Sequence, residues 1–202
     1  MISASQTPLP VAFLDKLHHI LSTERNASSR LRDAALAGQL RPWTTELSAI
    51  IVLLFHQLGY SASAKGHKGS ALPVPRGEYL SHDVMAFGGD GIRWHQPFAV
   101  CELENSAQDK YVEYALWKVL CVRCELRVVF CYRPSAVARA DLIKSLQRRV
   151  VAEIPVTERQ SFKGDTLVIV GSRDEPETFP YGFFSAWILD YNTGSFTRFY
   201  GT

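Results

Sequence analysis

The residues with the clearest chemical potential are two glutamates at the end of an apolar run, Phe98-Ala99-Val100-Cys101-Glu102-Leu103-Glu104-Asn105. If this run is a strand, residues two apart face the same side, so Glu102 and Glu104 project together while Cys101 and Leu103 face away. Two carboxylates at the end of a core strand lose hydration and repel each other unless a cation or proton is shared between them. Upstream, Asp83 lies in a strand-like stretch, Glu78 to Phe87. A turn at Gly88-Gly89 folds that stretch back beside the next and brings Asp83 near Glu102. Hard divalent ions such as Mg2+, or Mn2+, take oxygen ligands of this kind, few of them from protein and the rest from water and phosphate.

The surrounding sequence predicts the elements that would hold these carboxylates. Thr44 or Thr45 can cap a helix running to a stop at Gly59, with Glu46 in its first turn. The Gly/Ser/Lys-rich stretch from Ser61 reads as a loop carrying Lys65, His67, Lys68 and Arg76. One or two strands fall between Ile92 and Asn105. An amphipathic helix over 108–123 shares Val112, Ala115, Leu116, Val119 and Leu120 on one face, with Trp117 read as a packing residue. LRVVFCYR (126–133) fits a central strand, Ala136 to Ile154 a helix with a basic side, and residues 165–173 another strand. A final hairpin turns at Asn192-Thr193-Gly194. The pattern predicts an α/β fold with a mixed sheet and helices on both faces. Residues 11–21 and the segment Ser28 to Gly38, separated by a polar stretch, read as two helices. They form an N-terminal helical arm over 1–41, packed on the core or on a second subunit, and leave 42–202 as the main domain.

Helix, strand with Asp83, apolar strand ending Glu102-Leu103-Glu104, helix and strand together resemble the PD-(D/E)xK nuclease superfamily, over about residues 42–133. The resemblance implies a restriction endonuclease-like three-layer α/β/α fold. Asp83 matches the motif's aspartate, with His82 where proline is usual, and Glu102 matches its acidic residue. Glu104 takes the place where most members carry lysine, although some restriction endonucleases put a second glutamate there. Glu46 matches an extra acidic ligand found in part of the superfamily. Lys110, in the first turn of the next helix, could reach back as the missing lysine, and Lys118 ranks lower because it lies about 12 Å further along that helix at 1.5 Å per residue.

The resemblance thus implies a nuclease that hydrolyses phosphodiester bonds, in DNA more than in RNA. Asp83, Glu102, Glu104 and Glu46 would hold Mg2+ or Mn2+, and metal-activated water would attack the phosphate. Lys65, Lys68 and Arg76 would meet the backbone of the nucleic acid. The E-x-E variant of the motif also supports a second expectation, a binding or assembly module that keeps the nuclease fold without cleavage.

Other features are weaker. Cys101, Cys121, Cys124 and Cys131 read as structural, mostly within apolar runs. Cys121-Val-Arg-Cys124 has redox or zinc spacing, but no second such pair accompanies it. The aromatics from Phe179 to Tyr200 at alternate positions suggest core or a homodimer contact, and His18 and His19 a solvated surface. A P-loop, a dinucleotide fingerprint, a nucleophile elbow and H-E-x-x-H are all missing, which disfavours NTPase, dehydrogenase, serine hydrolase and zinc protease readings. The first ten residues lack the character of a signal peptide, and no apolar run approaches the about 20 residues of a membrane span. A cytoplasmic location is expected. The net charge of +2 leaves any polyanion to be met by a local basic patch.

Overall fold

The computed structural model describes residues 7–172, 175–180 and 182–199. Three helices open the chain: α1 (Leu9–Thr23), α2 (Arg25–Leu36) and α3 (Leu40–Gln57). Strands β1 (Ser61–Ala64), β2 (Val84–Phe87) and β3 (Ala99–Leu103) follow, then α4 (Asp109–Leu120) and β4 (Leu126–Arg133). The rest comprises α5 (Ala136–Leu146), which runs into a π-helical turn at Gln147–Val151, then α6 (Val156–Arg159), β5 (Asp165–Ser172), β6 (Phe184–Asp190) and β7 (Ser195–Phe199).

The seven strands form one mixed sheet in which spatial order repeats chain order, β1 to β7. Antiparallel pairing joins β1, β2 and β3, parallel pairing joins β3, β4 and β5, and the last two steps are antiparallel again. The two parallel steps need crossover connections, which α4 and the α5–α6 segment supply. Alternation divides the core. Cys101, Leu103, Val128, Phe130, Leu167 and Ile169 pack with α1, α2 and α3 on one face. Val100, Val129, Cys131, Val168 and Val170 pack with α4 and α5 on the other. Helices on both faces of a mixed sheet, the architecture expected, are thus present.

Of the two placements expected for the first two helices, packing on the core is the one seen. Phe13, Leu17 and Leu31 are fully buried in the same apolar cluster as α3 and the sheet, and Phe13 meets Phe55 and Phe130 at ring-centroid distances of 5.7 and 6.4 Å. The polar stretch expected to separate them is mostly helical, with only Glu24 between α1 and α2. Helix α3 begins at Leu40, ahead of the expected cap. Pro42 is accommodated in the first turn, where a backbone N–H has no helical partner to lose. Thr44 and Thr45 therefore do not cap it; their hydroxyls donate back to the carbonyls of Leu40 and Arg41 at 2.9 and 3.1 Å.

Strand β5 starts after Gly164, whose φ of +75° lies in the left-handed region and whose pro-Cβ position is 2.3 Å from the Glu125 carbonyl oxygen. A methyl group there meets both backbone strain and a hard contact. Gly164→Ala is expected to cost about 2 kcal/mol of unfolding free energy, read from the urea midpoint; an unchanged midpoint would show that the turn relaxes freely.

Candidate functional site

Asp83 is the residue immediately before β2, not within it. The pairing of Val84 with Cys101 sets Asp83 opposite Glu102, and the Asp83 carboxylate accepts the backbone N–H of Leu103 at 2.7 Å. Burial raises the Asp83 carboxyl to a pKa of about 6; the Leu103 N–H opposes that shift, the Glu102 charge adds to it, and Lys118 opposes it. The chain reaches Asp83 through two consecutive non-glycine residues in the left-handed region, Leu80 (φ 51°) and Ser81 (φ 58°). Such strain persists where neighbours over-determine the backbone. Tyr79 is buried, its hydroxyl donates to the Val74 carbonyl at 2.8 Å, and Lys118 donates to the Ser81 carbonyl at 2.6 Å.

Glu102 is buried on the α4 side of the sheet, and both its oxygens are engaged. Oε1 stands 2.7 Å from Nδ1 of His82, and Oε2 stands 2.8 Å from Nζ of Lys118. His82 is only 2% exposed. A carboxylate can only accept, so an ionised Glu102 requires the proton on the His82 Nδ1 nitrogen, which fixes the ring's orientation.

Glu104 lies one residue beyond β3 and does not join this pair. Its Oε1 accepts the Ser106 N–H at 2.7 Å, closing the turn that leads into α4. Glu46 is turned to Arg30 of α2, 2.9 Å away. Among the described residues, no three His, Cys, Asp or Glu side chains stand close enough to hold a metal ion. The donor set therefore does not fit a cage of three or four carboxylates. Of the expected ligands, Asp83 and Glu102 remain together, facing each other across the β2–β3 pairing.

The lysine ranking reverses. Lys110 is exposed, and its ammonium lies over the ring of its neighbour Tyr111, 4.9 Å from the centroid. Lys118 is the lysine at Glu102. Counting along the helix measured its distance from Lys110, not from the strand. As a crossover between parallel strands, α4 runs antiparallel to β3, and its second half returns alongside Glu102. Sequence reasoning named His82 only as the residue in the motif's proline position and gave it no role. For Lys118 the available signal was its place three residues after Ala115 and one before Val119, at the edge of the buried stripe.

The pairing of Ala64 with Val84 puts Lys65 at the same end of the sheet as Asp83. Lys65, Lys68 and Arg76 are all exposed there or in the loop that follows. The basic side expected of the helix over Ala136 to Ile154 is partly spent on structure. Arg139 is buried beside Glu175 at 3.5 Å, and Lys144 pairs with Asp141 at 3.6 Å. The four cysteines are free thiols. Cys101, Cys124 and Cys131 are buried, and burial raises the Cys131 thiol to about 12. Cys121 alone is exposed. Of the C-terminal aromatics, Phe183 and Phe184 belong to the core, while Tyr181 and Tyr200 lie outside the described residues. No described helix is long and apolar enough to cross a membrane.

No family model matches the chain, and neither a curated protein nor a solved structure does.

Proposed function

We propose that this chain is a divalent-metal-dependent nuclease with the restriction endonuclease-like fold, hydrolysing phosphodiester bonds in nucleic acid, DNA in the first instance. The order α3, β1, β2, β3, α4, β4 supports that fold. The observation that carries the activity is the meeting of Asp83, Glu102 and Lys118, with the Lys118 ammonium 2.8 Å from Glu102. A lysine from α4 thereby stands in for the one that the E-x-E sequence lacks.

Asp83 and Glu102 would hold Mg2+ or Mn2+. The bound ion would supply Lewis acidity toward the phosphate and a lowered pKa for water. Leu103 aims the Asp83 carboxylate through its N–H, and His82 locks Glu102 in one orientation. Lys118 brings positive charge to the place where charge builds on the phosphate in the transition state. Lys65, Lys68 and Arg76, at the basic loop near the same sheet end, would bind the flanking backbone.

One observation favours the second reading, a nuclease-fold binding module without cleavage: both oxygens of Glu102 already have protein partners. Incubating the protein with labelled single-stranded and duplex DNA and with RNA separates the two. Fragments are expected with Mg2+ or Mn2+ and not with a chelator. Intact strands under every condition, at protein equimolar with substrate, would leave only the binding module.

A further inference from the structure

Helix α4 carries more aromatic surface than its packing requires. Tyr114 is 58% exposed and Trp117, expected as a packing residue, is 51% exposed. Their rings stack with centroids 5.9 Å apart and planes inclined by 30°. They border a groove of about 380 Å³ between α4 and the π-helical turn, closed on its other side by Arg149, Val150 and Ile154. The core does not account for this pair, since α4 buries Val112, Ala115, Leu116, Val119 and Leu120 instead.

From this arrangement we infer that Tyr114 and Trp117 form a stacking platform for the bases of an unpaired nucleic-acid strand. The inference rests on the nuclease reading and names its substrate class. Two observations select this occupant. The platform is continuous with the candidate site, because Tyr114 lies one helical turn before Lys118 on the same side of α4. Lysines bracket it along the helix, Lys110 four residues before Tyr114 and Lys118 four residues after it. Across the groove Arg149 is spent on Glu113, 3.7 Å away, and Glu153 completes the lining, so the phosphates of a bound strand are left to the two lysines. Base faces are available in single strands and covered in a duplex, so exposed rings beside a phosphate site choose the unpaired form.

The test measures anisotropy of a fluorescent oligothymidine and of a duplex in chelator, so that binding is read apart from cleavage. Trp117→Ala and Tyr114→Ala are each expected to weaken single-strand binding roughly 10-fold, with duplex binding changed less than about twofold. Both positions are exposed, so folding is retained. Unchanged single-strand affinity in both variants overturns the inference. So does sedimentation showing a wild-type dimer that either substitution splits, because a second copy of the chain then covers the face. Ring-dependent binding in a wild type that never cleaves with Mg2+ or Mn2+ supports the platform and refutes the nuclease reading instead.

Discussion

Lys118→Met is expected to lower cleavage by about 100- to 1,000-fold, the scale on which removing one preorganised charge from a transition state is felt. Lys110→Met is expected to stay within about twofold of wild type. The contrast follows from position: the Lys118 ammonium is 2.8 Å from Glu102, whereas the Lys110 ammonium sits over Tyr111 in solvent. The substitution also takes a partner from a buried carboxylate, so some stability is lost. Single-turnover rates per folded molecule, at a temperature where circular dichroism shows both variants native, separate the two effects. Lys118→Met cleaving at the wild-type rate would remove the lysine from the mechanism, and a large loss in Lys110→Met would move the role there.

The second large effect is on stability against pH. The Asp83 carboxyl is raised from an ordinary 3.8 to about 6. A raised carboxyl favours the folded state in its protonated form. Its stabilising contribution is full below about pH 3.8 and is lost as pH rises through about 6. The loss is at most about 3 kcal/mol at 1.36 kcal/mol per pH unit, and less to the extent that water reaches the half-buried carboxylate. Asp83→Asn should abolish that part of the slope, so urea titrations at pH 4, 5, 6 and 7.5 should show wild type losing ground to the variant. Asp165, also raised by burial, titrates in both proteins and cancels in the difference. A divalent ion held by Asp83 should raise the melting temperature more at pH 7.5 than at pH 5. Parallel stability curves for the two proteins would show that Asp83 ionises without cost.

Much of the sheet was legible because buried strands announce themselves. Residues 126–133 form an uninterrupted eight-residue strand buried throughout, and the expected run at 165–173 contains β5. Strand β1 was not legible. Its sequence, Ser-Ala-Ser-Ala, looks like loop, yet small residues are what the site demands. A Cβ on Gly69 would lie 2.9 Å from the Ser63 side chain, and one on Gly77 would lie 2.8 Å from the Ala64 carbonyl. The returning loop packs too closely for the β-branched residues that usually mark strands. The stretch 78–87 shortened to the brief β2, because hydrophobicity alone does not reveal the left-handed turn at Leu80 and Ser81, while of the one or two strands expected in 92–105 one is present, β3.

The same division holds at the site. The expected reversal between the two stretches brought Asp83 opposite Glu102, as the antiparallel pairing of β2 with β3 does, whereas strand alternation was less reliable. It put Glu102 and Glu104 on one side, but β3 ends at Leu103 and Glu104 follows a turn instead. The partners supplied by other elements were harder to find. Which turn of α4 faces Glu102 depends on how the crossover packs, and that is a property of the sheet rather than of any local pattern.

Because strand order in space repeats strand order in the chain, most pairings here can form as the polypeptide emerges from the ribosome. Helix α1 is one exception: Phe13 packs on Phe130, more than a hundred residues later. Until β4 has been made, the apolar side of α1 has no sheet to cover it. A newly made chain therefore carries a sticky helix from the time α1 emerges until β4 follows it, the kind of surface that chaperones bind.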